Sequence, residues 1–340
     1  HRDGRITVLG TNADNQRIVP PGTFQHIDTG LNHILAIHDD GLPEAWGLNT
    51  NSQATIPVTV TNALMMAGGS DFSLALVPNV AAFTAPTPVP TREQSTIRVS
   101  RISAGDESAV ATVDGTIIVW GNDTNNQLAA PAVTNIVAVA SGNQFHVALN
   151  DTGVVTAWGD GISAVPAGLP AIRALAAGDS HVVALTTSGT VQAWGNDSAG
   201  QASVPGGLSD VIAVAAGAAH SLALKSDGTI VGWGDNTDGQ ITIPGGITTA
   251  TAISASGNYS MALLADGSVR AWGDNTFGQR TIPAGATNVI AVDAGPTHAL
   301  ALKADGSVLA WGEATYGATT VPANLGRITS IVAGRNTSFA

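Results

Sequence analysis

Histidines at a repeated spacing are the residues of this chain whose type could support metal binding or proton transfer. Each stands three residues after a glycine, and the four positions are His33, His181, His220 and His298. Imidazole nitrogens are frequent metal ligands, but the ligands of one ion must lie close together. Because each histidine belongs to a different structural unit, we predict no metal site. We predict instead that each histidine forms a hydrogen bond to a neighbouring turn of its own unit.

Three further patterns resemble chemical sites without meeting their requirements. Asp235–Gly239 and Asp274–Thr276 are acidic, but they lack the ligand spacing and final glutamate of a calcium loop, so Asx turns are predicted. Gly178–His181 sets Asp, Ser and His side by side, whereas strand neighbours point to opposite faces and cannot form a triad. Gly159–Ala164 matches the dinucleotide-binding pattern G-x-G-x-x-A. In such a site a helix begins directly after the pattern, but here Pro166 follows, so a turn is predicted. We predict neither an enzyme nor a cofactor.

The elements that must position these residues repeat along the whole chain. A large apolar residue, usually Trp followed by Gly, recurs about every 38 residues, which indicates one supersecondary unit stacked nine times. We predict that these residues form the structural core of the units. Their positions are Leu9, Trp46, Phe83, Trp120, Trp158, Trp194, Trp233, Trp272 and Trp311.

Short strands joined by tight turns explain the pattern within one unit. The unit that starts at Ala216 is the best preserved, and Asp227–Gly228 is a strong hairpin signal. The 40 glycines and 16 prolines among 340 residues interrupt any helical pattern. We therefore predict an all-β chain folded as a β-propeller of about nine four-stranded blades. The four strands predicted for this unit are His220–Leu224, Thr229–Trp233, Ile241–Ile243 and Ala250–Ser254.

The repeated sequence resembles that of a known family. The pattern A-G-x-x-H-x-x-A-L-x-x-x-G-x-V-x-A-W-G at Ala177–Gly195 and Ala294–Gly312 is similar to the repeats of the regulator of chromosome condensation (RCC1) superfamily. The continuation G-Q-x-x-x-P, as at Gly239–Pro244, resembles the bacterial branch that includes a secreted β-lactamase inhibitor. This resemblance covers essentially the whole chain and implies a propeller. The family's rings are seven-bladed, so seven blades with a two-unit extension is the alternative to nine.

Continuous repetition without a linker predicts one domain over residues 1–340. The third unit is irregular around residues 83–100, where Trp-Gly gives way to a proline-rich and then polar stretch. The last residues, 333–340, match the start of a unit, and residues 1–10 match its continuation. We therefore expect the two ends to complete one blade together, which closes the ring. The same complementarity could join the tail of one molecule to the head of the next in a fibre.

Composition limits the partners and the location. The net charge is −12, and the 13 basic residues do not cluster, which argues against a nucleic-acid partner. The absence of cysteine excludes disulfides and thiolate chemistry, and no apolar run is long enough for a membrane span. The chain starts at His1 without a methionine, so we expect a processed or partial chain in an extracellular or cell-surface location.

Binding residues are expected on one face, formed by the segments after each repeat glycine and the loops after each Trp-Gly. In the resembling inhibitor, aromatic residues of these loops anchor the target. The leading hypothesis is a non-enzymatic structural or adhesive module that self-associates into a filament. The alternative is a protein-binding inhibitor module. A third hypothesis, an exchange factor for a small GTPase, is less favoured, because the sequence matches such factors only in the shared repeat. The aromatic candidates on this face are Phe72, Phe145, Tyr259, Phe277 and Tyr316.

Overall fold

A computed structural model gives the three-dimensional structure of the chain. Every regular element in the described ranges is a β-strand, so the predicted all-β class is confirmed. The described residues are 18–29, 33–40, 42–47, 54, 56, 65–68, 73–76, 99–104, 108–113, 116–121, 125–162, 164–315, 317–322, 328, 330–334 and 338–339.

The described strands form nine antiparallel sheets, one for each predicted unit. Seven sheets have three strands, and the sheets β4–β5 and β24–β25 have two. The strands are β1 (Phe24–Thr29), β2 (His33–His38), β3 (Pro43–Gly47), β4 (Met65–Gly68), β5 (Ser73–Leu76), β6 (Val99–Ala104), β7 (Ser108–Val113), β8 (Thr116–Gly121), β9 (Ile136–Ser141), β10 (Phe145–Asn150), β11 (Val155–Gly159), β12 (Ile172–Ala177), β13 (His181–Thr186), β14 (Val191–Gly195), β15 (Val211–Ala216), β16 (His220–Lys225), β17 (Ile230–Gly234), β18 (Ala250–Ser256), β19 (Tyr259–Leu264), β20 (Val269–Gly273), β21 (Val289–Ala294), β22 (His298–Lys303), β23 (Val308–Gly312), β24 (Val332–Ala333) and β25 (Ser338–Phe339).

Each three-stranded sheet is a meander in which the spatial order of the strands follows the chain. In the sheet of β15, β16 and β17, the central strand β16 pairs with both neighbours. The Lys225 N–H donates to the Thr229 carbonyl at 2.9 Å, which closes the turn between β16 and β17. Gly228 in this turn has a φ of 81°, a conformation that glycine adopts without strain. The predicted Asp-Gly hairpin is confirmed.

The last two strands predicted for this unit differ from the observed structure. Residues 241–243 form no strand, because their backbone is taken up in tight turns. The Thr242 N–H donates to the Gly239 carbonyl at 3.0 Å, and Pro244 then offers no N–H to a ladder. The run predicted as the fourth strand is β18, which pairs with β19 and so begins the next sheet. The described sheets therefore have at most three strands, where four were predicted.

Tryptophan side chains fill the spaces between stacked sheets. Trp233 of β17 belongs to one buried apolar cluster with Val211 and Ala223 of its own sheet and with Leu185 of the preceding one. Burial of these large rings contributes strongly to stability, which supports the predicted core role of the described side chains. Phe83 and the side chain of Trp120 lie outside the described part. The tryptophans that are 4–9% exposed are Trp46, Trp158, Trp194, Trp233, Trp272 and Trp311.

The first strands of successive sheets contact one another in a closed circuit. The circuit runs through β6, β9, β12, β15, β18, β21 and β24, and β24 contacts β6 to close it. The sheets that begin with β1 and β4 stack on each other and are not members of this circuit. The described residues therefore form nine sheets, but the prediction of nine blades in one ring is not confirmed. The contacts favour a ring of seven sheets with a two-sheet extension.

Several predictions on the chain's organisation fall partly outside the described residues. Residues 1–10, which were predicted to complete the C-terminal blade with β24 and β25, are among them, as are residues 83–98 of the irregular third unit, predicted around residues 83–100. The single domain over residues 1–340 stays a prediction. Among the described residues, no helix is long and apolar enough to cross a membrane.

Candidate binding face

The turns before each central strand and the loops after each Trp-Gly lie at the same end of the sheets, and we call this end the loop face. Backbone hydrogen bonds join the two sets of segments. The Asp235 N–H donates to the Ala219 carbonyl at 2.9 Å, and the Asp274 N–H donates to the Asn258 carbonyl at 2.9 Å. The two sets of segments meet because β16 and β17 are antiparallel, so that β16 begins beside the end of β17.

Side chains of the loops hold their own backbone in place. Asp235 Oδ1 accepts hydrogen bonds from the Thr237 N–H at 3.1 Å and from the Thr237 hydroxyl at 2.6 Å. Gln240 donates to Asp235 Oδ2 at 2.8 Å and accepts from the Asp238 N–H at 2.9 Å. The Thr237 hydroxyl contributes most to holding the pKa of Asp235 below its usual value. The predicted Asx turns are confirmed, and these carboxylate oxygens bind donors of their own loop.

The same arrangement recurs in the next unit. Asp274 Oδ1 accepts from the Thr276 N–H, Gln279 donates to Asp274 Oδ2, and Gln279 Oε1 accepts from the Phe277 N–H. Phe277 stands at the tip of this loop and is 44% exposed. A large apolar side chain on a loop that is fixed by hydrogen bonds loses little conformational entropy when it binds a partner. Phe277 is therefore the described aromatic candidate that can serve as an anchor.

Two of the other aromatic candidates are not on the surface. Phe145 and Tyr259 are both 0% exposed, and the Tyr259 hydroxyl donates to the His298 carbonyl at 2.5 Å. In their units they occupy the position that histidine holds in others. A side chain at this position points between neighbouring sheets. The prediction that Phe145 and Tyr259 bind a partner is therefore wrong. Phe72 and Tyr316 lie outside the described residues.

Carboxylates give the loop face its charge. The described loop-face segments contain no lysine or arginine, and Arg280 directly follows the last residue of one loop. A face of this sign attracts cationic surfaces and repels phosphate backbones. The acidic residues of these segments are Asp160, Asp179, Asp197, Asp235, Asp238, Asp274 and Glu313.

The repeated histidines connect neighbouring sheets. His181 Nε2 lies 2.9 Å from Ser221 Oγ, and His220 Nε2 lies 2.9 Å from Ser260 Oγ, each serine belonging to the following sheet. The prediction of a hydrogen bond within one unit is therefore wrong for these histidines. The pair His298 Nε2 and Ser338 Oγ, at 3.0 Å, repeats the contact. We call these three contacts the histidine seams.

Each histidine seam extends beyond the two side chains. Ser221 Oγ donates to the Gln201 carbonyl at 2.8 Å, and the same carbonyl accepts from Trp233 Nε1 at 2.9 Å. The roles of the serine and the glutamine were not predicted from the sequence. The signal was present, because Ser221 and Ser260 each follow the residue of the histidine slot and Gln201 recurs in the G-Q pattern.

Burial determines the charge state of the seam histidines. It lowers the pKa of His181, His220 and His298 from 6.5 to about 4, so all three are neutral at pH 7. His181 makes its side-chain hydrogen bond to Ser221 of the next sheet and not to the adjacent Ser180. Within the described residues, no three His, Asp or Glu side chains are arranged to hold a metal ion.

The opposite end of the sheets, which we call the hairpin face, carries the Asp-Gly turns and the starts of the first strands. The Val289 N–H donates to the Gly267 carbonyl at 3.1 Å, which joins a turn to the next sheet. A cavity of about 400 Å³ opens here beside Asp266 and Ile290. Ile290 and its counterpart Ile212 are exposed. This face offers scattered apolar side chains, whereas the loop face offers fixed, charged loops.

Repeated antiparallel sheets with a closed circuit of first strands define an RCC1-like β-propeller fold. The regulator of chromosome condensation (RCC1) repeat matches residues 172–201, 211–240, 250–279 and 289–318. The resemblance to RCC1 repeats is thus confirmed for these four units. The bacterial branch stays a prediction.

Two plant structures share the fold. The ectodomain of the receptor kinase CR4 from Physcomitrella patens is 23% identical, with a TM-score of 0.60 over 68% of this chain and 67% of that one. The CRINKLY WD40 ectodomain of the receptor kinase ACR4 from Arabidopsis thaliana is 17% identical, with a TM-score of 0.54 over 86% of this chain and 99% of that one. At these identities the likeness concerns the fold alone.

Proposed function

We propose that this chain is a non-enzymatic binding module that recognises another protein through its loop face. The observation that carries the proposal is the fixing of exposed loops by side-chain hydrogen bonds, as in Asp235–Gln240 and Asp274–Gln279. Loops that are ordered before binding lose less entropy when a partner docks, so the affinity is higher. A rigid scaffold with fixed loops is the usual arrangement for recognition.

The side chains of this face support a partner with a basic contact surface. Seven carboxylates surround the repeat loops, and Phe277 offers an aromatic side chain at a loop tip. Charge complementarity increases the association rate and selects the partner, while a desolvated aromatic side chain provides much of the affinity. The proposed contact therefore combines an aromatic anchor with an acidic rim.

The test compares variants of the two faces. Protein immobilised through a tag is used to capture partners, and each captured protein is then purified and titrated against Phe277→Ser, Asp160→Lys and Ile290→Ser. The first two change the loop face, and the third is a matched control on the hairpin face. We expect at least a tenfold weaker Kd for the loop-face variants and an unchanged Kd for Ile290→Ser. Unchanged binding by both loop-face variants would contradict the proposal.

An inhibitor is a narrower form of this proposal, and the exposed Phe277 is the observation that favours it. Anchoring by loop aromatics is the feature that the resembling bacterial inhibitor suggests. Residual activity of a broad panel of β-lactamases should fall in the presence of the protein, and Phe277→Ser should restore it. Full activity across the panel would rule out this form and leave the general binding proposal intact.

Self-association is the second candidate, and the two-stranded sheet of β24 and β25 favours it. The other six sheets of the ring have three strands, so the described part of this sheet leaves one edge of β25 unpaired. Residues 6–10, I-T-V-L-G, match the third-strand pattern and could pair there within one molecule or between two. Light scattering over a hundredfold range of concentration should show growing assemblies if pairing occurs between molecules, and a constant monomer mass argues against it.

We also propose an extracellular or cell-surface location. The two plant structures with this fold are ectodomains of receptor kinases, which supports the proposal at the level of the fold. Fractionation of the source cells with an antibody against the chain is the direct test. Recovery in the cytoplasmic fraction alone would contradict the location.

A further inference from the structure

The hydrogen bonds of the histidine seams determine which imidazole nitrogen carries the proton. The hydroxyl proton of Ser221 is donated to the Gln201 carbonyl, which can only accept. His181 Nε2 must therefore be the donor to Ser221 Oγ, and its Nδ1 is the basic nitrogen. Ser260 donates to the Gln240 carbonyl, so the same argument assigns Nε2–H to His220.

In the part of the chain that the structure describes, the basic nitrogens of the seams have no acceptor to receive an added proton in a hydrogen bond. Nδ1 of His181, His220 and His298 is buried and has no hydrogen-bond partner among the described residues. The imidazole of His220 lies directly over Gly217, where a Cβ built on the glycine would be 2.5 Å from Nδ1. A proton added at Nδ1 would be a buried N–H donor without an acceptor, on a cation without a counter-charge in contact. The ring must leave its site to become solvated.

We propose that the three histidine seams are a proton-operated latch, which holds neighbouring sheets together at neutral pH and releases them in mild acid. Uptake of a proton at Nδ1 expels the imidazole from its site over the glycine and breaks the Nε2–Ser contact. The adjacent serine then loses its link to the preceding sheet. The serine and tryptophan that share the glutamine carbonyl are exposed to water in the same step.

The charged groups around the seams do not cancel the lowering of the histidine pKa by burial. Asp197 acts on His181, while His181 and Asp235 act on His220, and among the described residues no charged partner acts on His298. The two carboxylates favour the protonated imidazoles, but burial outweighs them and leaves the pKa of each seam histidine at about 4. Because the unfolded value is 6.5, the stability that each seam contributes is fully present above pH 6.5 and is lost as the pH falls through about 4.

At two other sheet interfaces of the same ring, the histidine slot holds a residue other than histidine. Phe145 fills the histidine slot before Val182, which stands where the other seams have serine. Both side chains belong to one apolar cluster with Trp194. Tyr259 fills the slot at another seam and donates to the His298 carbonyl. The contact of Phe145 with the sheet of Val182 is therefore a natural example of a sheet interface without a seam histidine.

The test copies the apolar seam into two histidine seams. The variants are His181→Phe with Ser221→Val, and His220→Phe with Ser260→Val, with Tyr259→Phe as the control in the same slot. Urea unfolding between pH 8 and pH 4.5 gives the number of protons taken up on unfolding. At pH 5 each replaced seam should reduce this number by about one, and the control should leave it unchanged. An unchanged proton number in both seam variants would overturn the proposal.

A measurement on the unaltered protein tests the proposal even if the variants fail to fold. The Ala218 N–H donates to the Gly257 carbonyl at 2.7 Å across the second seam, so its exchange with solvent reports opening. Histidine proton resonances should show the seam imidazoles neutral down to about pH 5, and protection of the Ala218 amide should be lost as they titrate. Titration near pH 6.5 with the amide still protected would overturn the proposal.

Discussion

Trp233 and Trp194 occupy the same slot in neighbouring units, but their indole N–H groups have different surroundings. Trp233 Nε1 donates to the Gln201 carbonyl at 2.9 Å. Trp194 Nε1 is buried without a hydrogen-bond partner among the described residues, because the preceding loop is shorter and has Ile162 where the others have glutamine. One substitution at both positions therefore separates packing from hydrogen bonding.

We predict that Trp233→Phe is more destabilising than Trp194→Phe by about 1–3 kcal/mol. Both variants lose the same indole volume, but only the first loses a hydrogen bond, and the second removes an unsatisfied donor. The free energy of unfolding in urea at pH 7.5 measures the difference. Equal losses would show that the indole hydrogen bond contributes nothing.

Asp293 is a partly buried residue whose carboxyl group contacts the two first strands next to its own. Its Oδ1 accepts from Ser254 Oγ at 3.1 Å, and its Oδ2 accepts from the Ala333 N–H at 2.7 Å. Burial raises its pKa from 3.8 to about 6, although these hydrogen bonds favour the charged form. The stability linked to Asp293 is therefore fully present below pH 3.8 and is lost as the pH rises through about 6, the opposite direction to the seam histidines.

We predict that Asp293→Asn stabilises the protein by up to about 3 kcal/mol at pH 8, since the amide keeps an acceptor and removes the buried charge. At pH 5 the gain should fall to about half of this value, because the carboxyl group of the folded protein is then largely protonated. Urea unfolding at the two pH values gives both numbers. A gain that does not depend on pH would mean that the substitution acts through packing.

Among the elements, the turn before each central strand shows how a glycine and an aromatic ring depend on each other. The imidazole of His220 covers Gly217, and the phenyl ring of Phe145 covers Gly142 in the same way. In the unit with Tyr259, Ser256 stands in the place of the glycine. The glycine is therefore required where a ring lies against the backbone.

We predict that Gly217→Ala costs about 1–3 kcal/mol, because the new Cβ would lie 2.1 Å from His220 Cε1 and would push the ring out of the seam. Gly245→Ala is the matched control, because nothing lies within 4 Å of a Cβ at that position. Its effect should stay within about 0.5 kcal/mol. Thermal unfolding of both variants provides the comparison, and equal effects would contradict the close packing of the turn.

Local chemistry explains which elements the sequence predicts correctly. The Asp227–Gly228 hairpin was predictable, since the turn depends on two adjacent residues. Residues 241–243 alternate like a strand, but Asn236 Oδ1 accepts the Ile241 N–H and helps to fold them into the loop. Phe145 and Tyr259 are buried although the sequence predicts them on the surface, because a single sequence does not reveal that their slot faces the next sheet.

For the whole molecule, repetition predicts the stacking of units but not the size of the ring. The period continues through the units of β1–β3 and β4–β5, so nothing in the spacing separates them from the other units. Closure depends on the contact between β24 and β6, which are remote in sequence. The acidic loop face is also a property of the whole ring, because its carboxylates come from separate units. Only the fold brings these carboxylates to one end.

Electron microscopy of the purified protein at moderate concentration tests the central claim, which is that seven sheets form a discrete ring with a free loop face. Class averages should show separate particles with seven spokes and a smaller two-sheet extension. Averages with nine spokes would contradict the closure of β24 on β6. Ordered fibres would contradict the free binding face and would make assembly the function of the protein.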